Sequence, residues 1–278
     1  MKVLLVGRNG QVGAELERLL PAIGELTATD RATLDLADQD AIRRIVRAAK
    51  PGLIINAAAY NAVDKAESEP KAAIAVNATA PGVLAEEAKR LGALLVHYST
   101  DYVFDGAKRA PYREEDRPSP LGAYGRSKLQ GEAEVLATGC RHLILRTSWV
   151  YSARATNFYR VIRTKAAAGE PMRMVDDQTS VPTSSVFLAE QTLALLRAGA
   201  GGVLHLVPSG HATRYEFARE VVRALGSVSK LEPARSSDFP SAALRPAYSV
   251  LDNHRLAALL NRSLPDWREL LPPIIAGS

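Results

Sequence analysis

The chain has 278 residues, 47% of them hydrophobic and 23% charged, with a formal net charge of +5. This composition is typical of a globular protein with one large domain, or a domain with a smaller partner, and the basic residues are too scattered to indicate a nucleic-acid patch. The single cysteine, Cys140, excludes an internal disulfide. The apolar run near the N-terminus is too short for a signal peptide, and no run approaches the ~20 residues that span a bilayer. We therefore expect a cytoplasmic protein that does not act at a membrane.

Apolar and amphipathic segments alternate over the first 150 residues, which predicts strands that alternate with helices. The predicted strands are 2–6, 26–29, 53–55, 93–97 and 142–145. The predicted helices are 13–20, 40–49, 69–90 with a bend at Pro81 and Gly82, and 121–136. Strands that alternate with helices predict an α/β fold, a doubly wound parallel sheet of Rossmann type.

The pattern changes after Trp149. Segments 157–168 and 184–197 are predicted helices, 172–175 is a short strand, and 203–207 is a strand that returns to the first sheet. Residues 226–246 are rich in Ser, Pro and Ala, which indicates loops. We predict a first domain over residues 1–150, joined by 201–207, and a smaller substrate-binding lobe over 151–278.

The first strand leads into the sequence GRNGQVG, from Gly7 to Gly13. A side chain at Gly7 or Gly10 would keep the backbone away from a pyrophosphate, which the positive end of the following helix attracts. Gly13 allows the helix to pack closely on the strand. Between a strand and a helix, this pattern predicts that the first domain binds a dinucleotide.

The second strand ends at Asp30, where a carboxylate can bind the hydroxyls of the adenosine ribose. Arg8 and Arg31 are instead suited to the 2′-phosphate of NADPH. Asp30 thus favours NADH and the arginines favour NADPH, and both cofactors stay open.

Tyr124 and Lys128 are four residues apart and so lie on one face of a predicted helix. A nearby ammonium group stabilises a phenolate, so we expect Lys128 to lower the pKa of Tyr124. Thr100 follows the fourth strand, at the sheet edge where ligands bind, and its hydroxyl can polarise a carbonyl. These three residues predict a carbonyl reduction in which Tyr124 donates the proton.

Longer motifs strengthen this interpretation. The strings GRNGQVG, INAAAYNAVDKAESEP, HYSTDYVFDG, YGRSKLQGE, LRTSWVY and DDQTSVPT resemble the extended short-chain dehydrogenase/reductase family, in the branch that reduces keto groups of nucleotide-linked sugars. The similarity covers nearly the whole chain and loosens after about residue 225. It implies that NADPH or NADH reduces the 4-keto group of dTDP-4-dehydro-6-deoxymannose to give dTDP-rhamnose.

The resemblance also implies roles for individual residues. Thr100, Tyr124 and Lys128 would be catalytic. The substrate would contact Thr100, Asp101, Trp149 and Arg245, the last near the nucleotide diphosphate. The cofactor would contact Gly7, Gly10, Gln11, Val12, Asp30, Asp35, Leu36, Ala59, Tyr60, Asn61, Tyr98, Tyr124 and Lys128.

Two positions raise further questions. Ser180 stands where the family pattern has glycine, so we expect it to alter the loop that faces the substrate, since only glycine adopts positive φ freely. Some members of the family are magnesium-linked dimers. Glu15 occupies the implicated position, but on an exposed helix it is expected to be a solvated acid. We therefore predict no metal site, and leave Mg²⁺ and a homodimer open.

Two other functions are compatible with these motifs. An epimerase or dehydratase on the same fold returns the hydride to its substrate, so net consumption of reduced cofactor distinguishes it from a reductase. A non-catalytic binding subunit is the second alternative, because the regulatory subunit of methionine adenosyltransferase resembles this family. The intact set of Thr100, Tyr124 and Lys128 argues against a purely regulatory role.

Overall fold

The computed structural model describes residues 1–277. Its strands are β1 (Lys2–Val6), β2 (Glu25–Thr29), β3 (Leu53–Asn56), β4 (Leu94–Thr100), β5 (Arg141–Thr147), β6 (Val150–Tyr151), β7 (Met172–Val175), β8 (Thr179–Ser180), β9 (Thr183–Ser184), β10 (Gly202–His205), β11 (Ala212–Thr213) and β12 (Leu231–Ala234). Its helices are α1 (Gln11–Leu19), α2 (Gln39–Ala49), α3 (Val63–Ser68), α4 (Pro70–Ile74), α5 (Ala80–Leu91), α6 (Ala123–Thr138), α7 (Phe158–Ala167), α8 (Ser185–Arg197), α9 (Arg214–Ala224), α10 (His254–Leu259) and α11 (Leu271–Ala276).

In this described part of the chain, six parallel strands form the central sheet, in the order β10-β5-β4-β3-β1-β2. Alternate residues of β1 point to opposite faces, so Leu5 joins the core under α1 and α8 while Leu4 joins the core under α2 and α5. The strand order reverses between β1 and β3, which opens a crevice at the carboxyl ends of these strands. The predicted α/β fold class is confirmed.

Strand β10 reaches the sheet from a distant part of the sequence. It pairs in parallel with β5, Gly202 opposite Leu143 and His205 opposite Arg146. Three two-stranded sheets lie outside the central one, formed by β11 with β8, β12 with β7, and β6 with β9. They surround a second core that includes Tyr151, Phe217 and Trp267.

Two predicted segments differ from the structure. The irregularity expected at Pro81 and Gly82 lies just before them, in a wide π turn over Ala75–Thr79. Proline has no N–H to donate to the carbonyl four residues earlier, which disfavours a regular helix there. The segment predicted as loops, 226–246, contains strand β12 and a short turn of 3₁₀ helix at Ser236–Asp238. Among residues 1–277, no helix is both long and apolar enough to cross a membrane.

Candidate active site

The turn after β1 can hold a pyrophosphate. Gly7 has φ of +92°, and a Cβ atom there would lie 2.8 Å from the backbone nitrogen of Ala58. A Cβ on Gly13 would lie 1.9 Å from the carbonyl oxygen of Gly7, so only glycine lets α1 begin this close to the strand. Gly10 precedes α1 in an extended conformation, and the first turn of the helix has no acidic residue. The positive end of α1 is therefore open to an anion.

A long cleft of about 580 Å³ runs from this turn over the ends of β1 and β2. Its lining includes several residues predicted to bind the cofactor: Gly7, Asp30, Asp35, Leu36, Ala59, Tyr60 and Asn61. Glycine positions where a Cβ would clash, together with an open cleft beside them, fit a dinucleotide.

Asp30 lies in the long cleft and accepts hydrogen bonds from Asn9 Nδ2 and Thr33 Oγ1, both at 3.0 Å. These bonds, chiefly those from Thr33, hold the pKa of Asp30 below its usual value. Asp30 is thus a carboxylate at neutral pH and can accept a hydrogen bond from a ribose hydroxyl. Arg8 pairs with Glu17, whereas Arg31 lines the cleft beside Asp30.

One wall of the long cleft is fixed by a buried amide. Asn77 accepts from the backbone nitrogen of Tyr60 (2.8 Å) and donates to its carbonyl oxygen (2.9 Å). The same amide donates to Ser127 Oγ on α6 (3.0 Å). Asn77 thereby ties the Tyr60 segment to the helix that carries Tyr124 and Lys128.

An inner cavity of about 270 Å³ continues the long cleft, and Ala59 and Asn61 line both. Further residues predicted for the site line the inner cavity: Gln11, Val12, Tyr98, Thr100, Asp101, Tyr124, Lys128 and Trp149. The Gln11 side chain accepts hydrogen bonds from Ser152 Oγ and Asn157 Nδ2, each at 2.9 Å, and so holds the start of α1 against the segment after β6. The Tyr98 hydroxyl points away to Thr192 Oγ1 (2.6 Å).

Tyr124 lines the inner cavity beside Thr100 and is half-buried. Burial of its phenol raises the pKa of Tyr124, and the nearby Thr100 hydroxyl only partly opposes this. The expectation that Lys128 lowers the pKa of Tyr124 is therefore wrong: burial is the main influence, and it acts in the opposite direction. A phenol with a raised pKa keeps its proton at neutral pH, as a proton donor must.

Lys128 is fully buried, with 2% of its surface exposed, and its ammonium group donates to the carbonyl oxygen of Tyr98 (2.6 Å). Burial lowers the pKa of Lys128 to about 8, against the opposing charge of Glu132. An ammonium group has three N–H donors, so Lys128 can bind this carbonyl and a ligand hydroxyl at the same time.

Asp101 lies behind Thr100 and is also buried. Oδ1 accepts from Thr100 Oγ1 (3.1 Å), and Oδ2 accepts from Ser180 Oγ (3.0 Å) and Ser249 Oγ (2.5 Å). Burial raises the pKa of Asp101 to about 6 in spite of these bonds. Ser180 belongs to strand β8 and is fully buried, and its hydroxyl holds Asp101 from behind. Its expected effect on the substrate loop stays a prediction.

Trp149 lines the inner cavity with φ of +40°, a sparsely populated value for a residue other than glycine. Its ring lies 4.4 Å from the guanidinium carbon of Arg214. Arg214 and Arg245 line a third space, an outer cleft of about 620 Å³. Arg245 therefore lies outside the inner cavity, where it forms an ion pair with Asp64 (Nη2 to Oδ2, 2.8 Å).

Arg214 and Tyr102, which line these spaces, were not predicted from the sequence. Arg214 is the first residue of helix α9. The start of this helix could have been predicted, because Thr213 and Glu216 form a capping box, a Thr followed three residues later by Glu. Tyr102 directly follows Thr100 and Asp101, and this position next to two predicted site residues is the one feature of the sequence that could have indicated its place in the site.

Glu15 is the remaining predicted position. Its carboxylate pairs with Arg18 (3.4 Å) and Arg154 (3.8 Å). Across residues 1–277 no group of three His, Cys, Asp or Glu side chains is arranged to hold a metal ion.

The glycine turn lies where the strand order of a parallel sheet reverses, and the hydroxyl of Thr100, the phenol of Tyr124 and the ammonium group of Lys128 lie at the carboxyl edge of that sheet. This combination defines a short-chain dehydrogenase/reductase, a class of nicotinamide-dependent oxidoreductases. The family described as RmlD substrate binding domain matches residues 1–277. The chain belongs to this family, that of the dTDP-4-dehydrorhamnose reductases, and the resemblance inferred from its motifs is confirmed.

Three relatives illustrate the similarity. The dTDP-4-dehydrorhamnose reductase of Burkholderia thailandensis is 45% identical over 96% of each chain. A probable dTDP-4,6-dihydroxy-2-methyloxan-3-one 4-ketoreductase of Streptomyces antibioticus is 39% identical over 100% of this chain and 97% of its own. The crystal structure of dTDP-4-dehydrorhamnose reductase from Bacillus anthracis in complex with NADP is 31% identical over 100% of both chains, with a TM-score of 0.95.

Proposed function

We propose that the chain reduces the 4-keto group of dTDP-4-dehydro-6-deoxy-L-mannose (dTDP-4-dehydrorhamnose) to dTDP-L-rhamnose with NADPH or NADH, as a step in nucleotide-sugar and cell-surface polysaccharide biosynthesis. One observation carries the proposal: Thr100, Tyr124 and Lys128 line one cavity, and this cavity shares Ala59 and Asn61 with the long cleft beside the glycine turn. The family relatives named for this reaction, and the NADP in the Bacillus anthracis structure, support the same substrate and cofactor.

The long cleft would hold the cofactor, and the inner cavity would receive its nicotinamide end. The turn from Gly7 to Gly13 and the start of α1 bind its pyrophosphate. Asp30, which lines the long cleft, would accept from an adenosine ribose hydroxyl, and Lys128, which lines the inner cavity, would donate to the hydroxyls of the nicotinamide ribose. When bound, the reduced nicotinamide supplies the hydride.

Tyr124 donates its proton to the carbonyl oxygen as the carbonyl carbon becomes reduced. The buried phenol keeps this proton until the oxygen gains negative charge. Thr100 lines the same cavity as Tyr124, and its hydroxyl, turned from Asp101 toward the substrate, donates to the same oxygen and stabilises the developing charge. Lys128 lies one helical turn from Tyr124 and presents its ammonium group in the same cavity, where its role is to hold the cofactor rather than to set the pKa of the phenol.

The variant Tyr124→Phe tests this assignment. We expect its turnover to fall on the order of a hundredfold or more, because an acid–base group is lost. NADPH affinity, measured by fluorescence titration, should stay close to that of the unchanged protein. Tyr215→Phe removes a hydroxyl from α9, outside the inner cavity, and serves as the matched control. Near-normal turnover of Tyr124→Phe would show that Tyr124 is not the proton donor.

A second substrate is favoured by one specific relative. The Streptomyces antibioticus protein is named for the 4-keto reduction of a different dTDP-linked sugar, at an identity close to that of the rhamnose enzymes. Parallel assays of both sugars, with NADPH and NADH, give kcat/KM for each pair. A larger kcat/KM for the second sugar would replace the proposed substrate, and no net consumption of reduced cofactor would favour an epimerase or a regulatory subunit.

We also propose that the enzyme works in the cytoplasm on this small-molecule substrate, without nucleic acid. Homodimer formation and a need for Mg²⁺ stay predictions from the family resemblance. Sedimentation velocity with and without EDTA tests both, and Glu15→Gln is the variant that should abolish a magnesium-linked dimer.

A further inference from the structure

Arg214 is held by aromatic rings, one of which, Trp149, lines the inner cavity. Its guanidinium carbon lies 4.4 Å from the ring centroid of Trp149 and 5.2 Å from that of Phe158. Its Nε donates to Gln178 Oε1 at 3.4 Å. A guanidinium group that stacks on aromatic faces keeps N–H donors at its edge for a planar or tetrahedral anion.

The two arginines that line the outer cleft differ in whether a carboxylate neutralises their charge. Arg245 forms an ion pair with Asp64. The ion pairs among residues 1–277 do not include Arg214, although it lines the same cleft. Arg214 is therefore the arginine of this cleft whose charge an external anion can neutralise.

Tyr102 connects the outer cleft with the catalytic residues. Its side chain is near both Arg214 and Arg245, whose positive charges oppose the rise in its pKa that burial causes. Its ring meets the ring of Tyr124 edge to face, with centroids 5.9 Å apart. A ligand group held between the two arginines is thus separated from the proton donor Tyr124 by the ring of Tyr102.

We propose that Arg214 is the second arginine of the diphosphate site of the nucleotide-sugar substrate. It binds the diphosphate together with Arg245, in the outer cleft that both arginines line. The sugar on one end of the diphosphate then packs on Trp149 beside Tyr124, and the nucleoside on the other end extends along the outer cleft. The inference rests on the proposed function, to which it adds a residue that fixes the substrate.

The contact with Trp149 gives Arg214 a positioning role as well. Trp149 has a strained backbone, so neighbouring groups must hold its ring in place. An arginine that is itself fixed by a diphosphate provides such a neighbour. The diphosphate thereby orients the ring on which the sugar rests.

Arg214→Gln is the test variant, and Arg219→Gln is the matched control, because Arg219 is exposed on the same helix and stacks on Tyr215 instead. We expect KM for the nucleotide sugar to rise on the order of tenfold or more in Arg214→Gln, since charge-assisted bonds to phosphate are lost, while kcat changes less than KM. Arg219→Gln should match the unchanged protein. Arg214→Lys keeps the charge but loses the planar fork, so its KM should lie between those of Arg214→Gln and the unchanged protein. It also replaces Arg214→Gln as the test variant if that variant does not fold.

Calorimetric titration with dTDP and with thymidine separates binding from turnover. For Arg214→Gln we expect weaker dTDP binding by the same factor as the rise in KM, and unchanged thymidine and NADPH binding. Equal dTDP affinity in the variant and the unchanged protein would overturn the inference. Equal weakening of dTDP and thymidine would overturn it as well, because Arg214 would then act only through the shape of the cleft. Failure of the unchanged protein to bind dTDP would instead overturn the proposed function.

Discussion

Lys128 donates a hydrogen bond of 2.6 Å to the backbone carbonyl of Tyr98 and thereby joins helix α6 to strand β4. This bond holds the ammonium group at the carboxyl edge of the sheet, where both Thr100 and Tyr124 lie. The same burial that fixes Lys128 lowers its pKa to about 8, so its charge is present at neutral pH and is lost in mild alkali.

The first prediction concerns the pH profile of kcat/KM, which reports groups of the free enzyme. Because the lowered pKa of Lys128 is about 8, the ammonium group loses its proton as the pH rises through that value. We expect kcat/KM to fall above pH of about 8. Steady-state assays across this range measure it. Lys128→Arg keeps its charge in alkali, so its descending limb should move to higher pH; a limb that stays in place would show that another group titrates.

Gly13 provides a second prediction, on the turn that receives the pyrophosphate. A Cβ there would lie 1.9 Å from the Gly7 carbonyl oxygen, so Gly13→Ala must displace the turn. We expect NADPH affinity to fall more than about tenfold, because the helix start no longer meets the phosphates. Gly92→Ala is the control: φ is +66°, but no atom lies within 4 Å of its Cβ position. It should cost only about 1–2 kcal/mol of stability and leave NADPH affinity unchanged. Unchanged affinity in Gly13→Ala would contradict the placement of the pyrophosphate.

Asp101 should make stability depend on pH in an unusual direction. Burial raises its pKa from 3.8 to about 6, so between these values the folded protein binds more protons than the unfolded chain. This contribution to stability is complete below pH 3.8 and is lost as the pH rises through about 6. Relative to the unchanged protein, Asp101→Asn should therefore gain roughly 2 kcal/mol of unfolding free energy between about pH 4 and pH 7. Urea unfolding at both pH values measures the difference, and a constant difference would rule out Asp101 as the titrating group.

The buried ion pair of Glu132 and Arg146 should be the most costly one to break. The carboxylate accepts from Arg146 Nε (2.9 Å) and Nη2 (2.7 Å), and the two side chains are 3% and 5% exposed. Glu132→Gln leaves the Arg146 charge without its partner, which costs about 3–5 kcal/mol. Asp238→Asn breaks the exposed pair with Arg173 and should cost at most about 1 kcal/mol. Equal losses in urea unfolding would contradict this ranking.

Patterns that are local in sequence predicted the sheet well. The apolar run of β1 is bounded by Lys2 and Gly7, and its predicted range of 2–6 is the observed one. Helix α2 begins one residue before the prediction, at Gln39, because Asp38 caps it. Such elements could be predicted because hydrophobic periodicity and capping residues involve only positions that are close together in the sequence.

The remaining features depend on contacts between distant positions. Ser180 meets Asp101 from 79 residues away, and no spacing rule relates the two. Arg214 reaches Trp149 where helix α9 packs on strand β6 through the contact of Phe217 with Tyr151. The pKa of Tyr124 could not be predicted from the nearby lysine, since it depends chiefly on how deeply the fold buries the phenol. The division into domains 1–150 and 151–278 stays a prediction that limited proteolysis can test.

Strand β10 has a consequence for how the protein is made. The last strand of the sheet, Gly202–His205, is synthesised only after residues 148–201, and until it emerges from the ribosome one edge of β5 has unpaired backbone groups. A nascent or truncated chain that ends near residue 150 would present this edge to other chains. Expression of the first domain by simple truncation should therefore give aggregates, whereas a fusion that restores the missing strand should keep it monomeric.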